Sequence, residues 1–224
     1  MCGRYTIFTP GEALAERFQT ELFPGPLAPN YNAAPSQALP VILSTNSQAI
    51  MVAAWGFVPE WADKRADVKP VINARADTVA TKPFFRHAFR SKRCLVLADG
   101  FYEWKRAGKH KVPYRIAFKT DEPFAFAGIW STVHTAAGEP RTTFAILTTE
   151  ANALMAPIHN RMPVILSTGH EADWLNPELS VEAAQDLLVP FPDDTLAAYE
   201  VSTKVNSPAY NTPEALRPVA DKPA

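Results

Sequence analysis

The second residue of the chain is a cysteine, in the run Met1-Cys2-Gly3. Because the Cys2 side chain is small, we expect Met1 to be removed, which leaves a free α-amine and a thiol on one residue. The amine titrates at about 7.7–8.0 and the thiol at about 8.5, so roughly a tenth of the amine is nucleophilic at neutral pH. An aldehyde can condense with this amine to an imine, and the thiol can then close a five-membered thiazolidine. Alternatively, the thiol attacks a carbonyl while the α-amine acts as its base.

A cysteine at position 2 is by itself an ordinary coincidence of the start codon, so its assignment depends on other residues. Four polar and aromatic clusters lie among apolar segments and supply candidates. They are Tyr31–Pro35 with Trp55–Trp61, Ile72–Arg75, Asp99–Trp104 and Pro157–Pro163. The aromatic side chains of the first cluster are expected to be exposed, where they fit stacking on unpaired bases, although tryptophans are commoner in cores.

Taken singly, the other three clusters have ordinary structural interpretations. Asn73 is typical of a turn and Arg75 of a surface charge. Strand alternation places Glu103 on one face with Phe101 and favours an exposed carboxylate, whereas a half-buried one would suit proton transfer. His159 lies between a predicted helix and a predicted strand, where loops present chemistry, or it is a structural histidine.

Composition indicates an ordinary globular protein of 224 residues, 47% hydrophobic and 20% charged. This length suits one compact domain, and no apolar run is long enough to span a bilayer or to form a secretory signal. Cys2 and Cys94 are too few for a disulfide scaffold or a cysteine-rich zinc site. We therefore expect a protein of the cytoplasm or nucleoid, without a metal or cofactor.

Charge is unevenly distributed, although the net charge is only −1. Between Lys82 and Arg115, ten lysines and arginines accompany two carboxylates. From His170 onward, ten carboxylates accompany three basic residues. This asymmetry predicts one basic face, which would suit a nucleic-acid partner. The lysine-rich hairpin at 105–111, taken alone, is better explained as a solvated surface.

Many short strands with short helices between them predict an α+β fold, built on a curled, barrel-like, mostly antiparallel β core. We expect a single domain over residues 1–224, with a core of about 2–205 and a C-terminal tail of about 206–224. Thr9-Pro10-Gly11-Glu12 predicts a capping box that opens a helix. A hairpin and further strands are predicted at Leu39–Leu43, Ile50–Trp55, Cys94–Ala98, Phe101–Trp104, Tyr114–Phe118, Phe124–Ile129, Thr143–Thr148, Val164–Leu166 and Ala197–Val201. Helices are predicted at Pro83–Arg90, Ala151–Ala156, Glu171–Leu175 and Val181–Leu188.

Together and in order, the motifs resemble the SOS response-associated peptidase family, whose members crosslink to abasic sites in single-stranded DNA. The resemblance extends from Cys2 to about Val205. It rests on Cys2-Gly3-Arg4-Tyr5, Asn32-x-x-Pro35, Trp55-Gly56-x-x-Pro59-x-Trp61, Asn73-Ala74-Arg75, Asp99-Gly100-Phe101-Tyr102-Glu103-Trp104 and His159-x-Arg161-Met162-Pro163. Asp77 departs from the family pattern, which has glutamate at that position.

The resemblance implies that Cys2 attacks the ring-opened aldehyde of an abasic deoxyribose and ends as a thiazolidine. It implies that Glu103 shuttles protons, that His159 assists sugar ring opening and reversal, and that Asn73 holds the amine or a sugar oxygen. It further implies that arginines bind the flanking phosphates and that other residues line a kinked strand. These DNA-binding residues are Arg4, Arg75 and Arg161, then Asn32, Pro35, Trp61, Trp104 and Thr148.

The implied partner is single-stranded DNA that contains abasic sites, bound by a monomer, with replication-fork proteins as further candidates. The peptidase activity that the family name records would use the same thiol to release Met1. Two other classes stay open. An N-terminal-nucleophile amidohydrolase, of the glutamine amidotransferase type, typically takes its oxyanion hole from an Asn-Gly segment, and this sequence contains none. A non-catalytic reader of modified single strands would bind without forming an adduct.

Overall fold

The computed structural model describes residues 2–22, 27–63, 65, 67–135 and 137–219. Met1, whose removal the sequence predicts, lies outside the described residues, as does the end of the predicted tail at 220–224. The strands, in chain order, are β1 (Arg4–Ile7), β2 (Glu21–Leu22), β3 (Asn30–Ala33), β4 (Ala38–Leu43), β5 (Asn46–Trp55), β6 (Asn73–Arg75), β7 (Arg93–Ala98), β8 (Gly100–Ala107), β9 (His110–Phe118), β10 (Phe124–His134), β11 (Pro140–Glu150), β12 (Arg161–Pro163), β13 (Ile165–Leu166) and β14 (Leu196–Glu200). The α-helices are α1 (Gly11–Phe18), α2 (Arg86–Ser91), α3 (Thr168–Leu175) and α4 (Val181–Asp186), with 3₁₀ turns at Glu60–Ala62, Thr203–Asn206 and Pro213–Leu216.

Five strands close into a barrel in the order β5-β4-β7-β10-β11. The first four pairings are antiparallel, and the barrel is closed by a parallel pairing of β11 with β5, in which Phe144 lies opposite Trp55. Closure removes the free edges that an open sheet would present. The α+β fold with a barrel-like, mostly antiparallel core is thus confirmed.

A second, antiparallel sheet lies against the barrel in the order β14-β9-β8-β1-β3. Tyr5 on β1 and Phe101 on β8 are fully buried, and both rings make edge-on contacts with Phe126 of the barrel, at centroid distances of 5.9 and 6.0 Å. These aromatic contacts hold the second sheet against the barrel wall. Short strands make further pairings with the barrel strands: β6 and β12 pair with β11, β13 with β10, and β2 with β5.

The basic stretch predicted from the sequence is only partly on the surface. Arg93 and Arg115 are 1% and 2% exposed. Arg93 donates hydrogen bonds to the carbonyl oxygens of Phe89, Arg90, Trp174 and Asn176, at 2.5–3.0 Å. It thereby satisfies the last carbonyls of α2 and α3, which no intrahelical donor can reach. The prediction of one continuous basic face is wrong for these two residues.

Most predicted strands are found within two or three residues, but two local predictions are wrong. The capping box does not form, because the Thr9 hydroxyl donates to the Asp99 carboxylate and Pro10 occupies the N-cap of α1. Residues 151–156 form hydrogen-bonded turns and no α-helix; Asn152 accepts the Met155 N–H at 2.9 Å. An asparagine side chain that bonds the backbone in this way favours a turn over a helix.

Candidate active site

The register of β1 against β8 brings Cys2 to Glu103. Arg4 lies opposite Tyr102 in this antiparallel pair, so the chain before Arg4 runs alongside Glu103 and Trp104. Cys2 is fully buried and Glu103 is 3% exposed. The exposed carboxylate predicted from strand alternation is therefore wrong.

Glu103 is buried because it lies on the same face of β8 as Phe101, and that face packs against the barrel. Phe101 packs into the barrel-side core, whereas Tyr102 on the opposite face packs with Val201, Val205 and Ala215 from the C-terminal segment. Alternation predicts exposure only when one face of a strand meets solvent. The covering residues on both faces are distant in the sequence, with Phe126 on the Phe101 side and Val201 to Ala215 on the Tyr102 side, so a local pattern cannot show them.

Asn73 joins Cys2 from the barrel side. It lies on β6, opposite Ile146 of β11, and is 9% exposed, so the predicted turn is wrong. Its Nδ2 donates to the Cys2 carbonyl oxygen at 2.8 Å. Its Oδ1 is buried and has no hydrogen-bond partner in the part of the chain that the structure describes. This oxygen is an acceptor available to an N–H or O–H donor placed beside Cys2.

The Cys2 thiol is strongly biased toward its protonated form. Burial raises the thiol pKa far above its ordinary value, and the negative charge of Glu103 raises it further. The Sγ donates weakly to the Arg4 carbonyl oxygen at 3.7 Å. At neutral pH the thiol therefore needs a base before it can act as a nucleophile.

Glu103 and His159 line one cleft of about 380 Å³ beside this pocket. The other lining residues are Trp104, Arg106, Lys111 and Asn206. His159 is half-buried, and its Nδ1 lies 3.0 Å from the Arg161 amide nitrogen and 3.2 Å from the Arg161 carbonyl oxygen. Nδ1 accepts the Arg161 N–H when it is unprotonated and donates to the Arg161 carbonyl oxygen when it is protonated. The ring is therefore held at this backbone position in either tautomer.

Two predicted DNA-binding residues, Arg4 and Asn32, bind the C-terminal segment. Arg4 Nη1 donates to Asn32 Oδ1 and to the Val205 carbonyl oxygen, each at 2.9 Å, and Nη2 donates to the Asn206 carbonyl oxygen at 3.2 Å. Asn32 Nδ2 contacts the carbonyl oxygens of Val205, Ser207 and Tyr210 at 2.9–3.1 Å. A phosphate role for Arg4 remains a prediction, and any such contact must share this guanidinium.

Trp104 is positioned by the same segment. Its Nε1 donates to Asn206 Oδ1 at 2.7 Å, and the indole is half-buried at the wall of the cleft. This hydrogen bond to Asn206 fixes the orientation of the Trp104 ring. The Asn206 contribution was missed, since an asparagine near the chain end carries no distinctive pattern.

Arg75 and Arg161 lie together at the end of β11. Arg75 is exposed, as predicted, and forms a bidentate pair with Asp77 at 2.5 and 3.1 Å. Thr148 is fully buried, and Arg161 donates a hydrogen bond to its carbonyl oxygen. Burial lowers the pKa of Arg161, and the Arg75 charge lowers it further. Two cations held side by side favour an anion between them.

The aromatic first cluster divides into buried and exposed members. Trp55 and Phe57 are fully buried, so their predicted exposure is wrong, whereas Trp61 is 54% exposed and meets Phe84 edge-on at 6.0 Å. Pro35 is half-buried in the turn between β3 and β4. Trp61 is thus the exposed ring of this cluster that a base could stack on.

Asp99 and Gly100 are structural members of their motif. The Asp99 carboxylate accepts the backbone N–H groups of Phe8 and Thr9 at 2.5 and 3.0 Å, which ties β1 to β8. A Cβ at Gly100 would lie 2.8 Å from the Ile116 carbonyl oxygen, so only glycine lets β8 approach β9 here. Both residues therefore support the register that brings Cys2 to Glu103.

No described helix is both long and apolar enough to cross a membrane.

A family model described as SOS response associated peptidase matches residues 1–208. The chain is 43% identical over 221 residues to a Bacillus subtilis protein named abasic site processing protein YoqW, with 96% of this chain and 99% of that protein covered. It is 30% identical to abasic site processing protein YedK of Escherichia coli, over 98% of this chain and all of that one. A crystal structure of a protein from Bacteroides thetaiotaomicron superposes with a TM-score of 0.89, at 31% identity, over 97% of this chain and 100% of that one.

Proposed function

Because the chain belongs to the SOS response-associated peptidase family, we propose that it processes abasic sites in single-stranded DNA by forming a covalent bond through Cys2. The observation that carries this proposal is that Asn73 and Glu103 meet Cys2 in one buried pocket, next to a cleft that His159 lines. Asn73 donates a hydrogen bond to the Cys2 carbonyl oxygen, and the charge of Glu103 raises the pKa of the Cys2 thiol. Glu103 also lines the cleft that contains His159.

The first step in this proposal is imine formation. His159 transfers a proton at the sugar ring oxygen, which opens the ring to its aldehyde. The α-amine of Cys2, freed by loss of Met1, attacks the aldehyde carbon, and one water leaves as the C=N bond forms. Asn73 Oδ1 is the buried acceptor that could hold the amine N–H during attack.

The second step is ring closure. The Cys2 sulfur adds to the imine carbon, and the thiol proton passes through Glu103 to the nitrogen, which becomes the N–H of a thiazolidine. Because the thiol is held protonated, the nearby carboxylate is the base that this step requires. Reversal runs through the same groups with the protons moved in the opposite direction, and release of Met1 by a peptidase step would use the same thiol.

The strand would enter along the predicted DNA-binding residues. Arg75 and Arg161 would bind phosphates at the end of β11, and Trp61 and Trp104 would stack on bases beside the gap left by the missing one. One chain supplies Cys2 and every catalytic partner named above, so a monomer suffices.

The test is incubation with a single-stranded oligonucleotide that carries one abasic site, followed by denaturing electrophoresis and mass mapping. A heat-stable adduct at Cys2 of a chain that has lost Met1 is expected. Cys2→Ala should abolish it, leaving at most a weak imine that borohydride traps, while Cys94→Ala should leave it unchanged. An adduct mapped to Cys94, or a stable adduct in Cys2→Ala, would overturn the mechanism. Binding without any adduct would favour a non-catalytic reader.

A further inference from the structure

Two cations face the cleft from the hairpin formed by β8 and β9. Arg106 on β8 lies directly opposite Lys111 on β9 in the antiparallel register. Both side chains are exposed, and both line the cleft that also contains Glu103 and His159. The two charges therefore belong to the wall of the candidate active site, although the sequence alone favours a merely solvated hairpin.

The position of these cations is fixed by the sheet. The β8–β9 ladder continues without interruption from Phe101 opposite Ile116 to Ala107 opposite His110. The turn itself is made by Gly108, at φ 61°, and Lys109. Arg106 and Lys111 thus leave paired backbone positions that line the cleft, whereas Lys109 leaves the turn. Lys105 is also paired, opposite Val112, but it does not line the cleft.

The pair is electrostatically unfavourable without a ligand. Like charges directly opposite each other on neighbouring strands destabilise a sheet. Among the described residues neither side chain takes part in an ion pair, while Arg75 and Arg65 each have an aspartate partner. An anion bound between Arg106 and Lys111 would relieve this repulsion.

We propose that Arg106 and Lys111 form a phosphate-binding site for the DNA backbone next to the abasic sugar. The proposal deepens, and rests on, the proposed function. The guanidinium offers a bidentate fork and the ammonium a point charge, which together suit a phosphodiester. Because the site lies on the same cleft as Glu103, it selects an aldehyde carried on a nucleic-acid strand over a free small aldehyde. Arg106 and Lys111 are positioning residues and take no part in proton transfer.

The test compares two double variants with the same loss of charge from the same hairpin, Arg106→Gln/Lys111→Gln and Lys105→Gln/Lys109→Gln. Glutamine keeps the apolar stem of each side chain while removing its charge. Binding is measured by fluorescence anisotropy across a salt series. The probe is a single-stranded oligonucleotide with a tetrahydrofuran abasic analogue, which has no aldehyde and cannot crosslink.

Loss of two phosphate contacts should reduce the log–log salt slope by about 1.4. Between about 50 and about 200 mM salt, the wild-type affinity should then fall about sevenfold more than that of Arg106→Gln/Lys111→Gln. The Lys105→Gln/Lys109→Gln control should keep nearly the wild-type slope. Equal slopes in the two double variants would overturn the proposal.

A second measurement locates the phosphate. Neutral methylphosphonate linkages are placed one at a time on either side of the abasic analogue. The methylphosphonate that replaces the contacted phosphate should weaken binding to the wild type and to the control variant. It should not weaken binding to Arg106→Gln/Lys111→Gln, because that variant has already lost the contact. This non-additivity is expected of two groups in direct contact. A penalty of equal size in all three proteins at every linkage would contradict a contact with these two residues.

A third measurement separates this proposal from the proposed function. Adduct formation by glyceraldehyde, a free aldehyde, should proceed at the wild-type rate in Arg106→Gln/Lys111→Gln, while crosslinking to abasic DNA at limiting DNA falls several-fold. If the wild type forms no adduct with either aldehyde, the proposed function fails, and the binding measurements still decide the phosphate site. If both rates fall together, the variant has damaged the catalytic pocket and the phosphate assignment is wrong.

Discussion

Glu103 acts on Cys2 in two opposing ways. Its charge raises the thiol pKa, which suppresses the thiolate in the resting protein. In the proposed mechanism the same carboxylate removes the thiol proton once the imine has formed. In that mechanism burial first, and the Glu103 charge second, keep the sulfur protonated until the imine has formed.

Glu103→Gln should change two rates in opposite directions. Without the negative charge, the Cys2 thiol pKa falls, so alkylation by iodoacetamide at a given pH should become faster, and its rise with pH should begin at lower pH. Crosslinking to abasic DNA should become slower by about 10²–10⁴-fold, because one general acid–base group is lost. Both rates are followed by mass spectrometry, with Glu60→Gln as a surface control. If the two rates moved in the same direction, Glu103 would have a structural role only.

His159→Ala should chiefly affect reversal. The ring is anchored on the Arg161 backbone at the cleft wall, whereas Cys2 is fully buried and does not line that cleft. We expect a smaller loss of crosslinking rate than in Glu103→Gln and a larger loss of adduct release. Release is measured by transfer of a preformed adduct to excess competitor DNA. Unchanged release in His159→Ala would remove the residue from the mechanism.

At the scale of elements, the sequence predicts the long strands better than the short ones. Strands β7 to β11 are found near their predicted positions, because they carry long apolar or alternating runs. The short strands β1, β3, β6 and β12 have no such pattern and were not predicted. These four carry Arg4, Asn32, Asn73 and Arg161, whose side-chain N–H groups bond one another or backbone outside their own strands.

The motif residues could be identified from the sequence, but their burial and partners could not. The aminothiol of Cys2 follows from its position alone. The burial of Glu103 depends on the packing of the Phe101 face of β8 against the barrel, and the cleft position of Arg106 and Lys111 depends on strand register. Such long-range contacts leave no periodic trace in the residues that they cover.

Arg93→Met should destabilise the packing of α2 and α3 on β7. The change leaves four carbonyl oxygens, two of them in fully buried hydrogen bonds, without the guanidinium that satisfies them, at a loss of about 3 kcal/mol or more. For a chain of this size, the midpoint of thermal unfolding should fall by about 6–12 °C. The control Arg90→Met, at an exposed position of the same helix, should stay within about 2 °C of the wild type. Equal midpoints in calorimetry would mean that water replaces the guanidinium.

At the scale of the whole molecule, the two ends of the described chain meet at the candidate site. Arg4 and Asn32 hold the backbone of Val205 to Tyr210, and Asn206 in turn positions Trp104. The division into a core of about 2–205 and a tail from about 206 stays a prediction. The segment after Val205 contributes directly to the cleft wall through Asn206.

Asn32→Ala should loosen this C-terminal segment without unfolding the barrel. Three side-chain hydrogen bonds from Asn32 Nδ2 are lost, so backbone amides in 203–211 should exchange about tenfold faster or more. Amides of β7 and β10 should be unaffected in the same hydrogen-exchange experiment. Asn152→Ala, which removes a bond to the remote Phe191, is the control and should leave 203–211 unchanged. Faster exchange across the whole chain would show global destabilisation instead.

The meeting of the chain ends sets an order of events during protein synthesis. Cys2 is among the first residues made, and the carbonyl groups that hold Arg4 lie about two hundred positions later. At roughly 5–20 residues per second, the ribosome needs on the order of 10–40 s to cover that distance. A chain that stops early carries the aminothiol without the C-terminal wall, the fixed indole or the anchored Arg4. The pocket is thereby completed only once residues 205–210 have been made, long after the nucleophile itself.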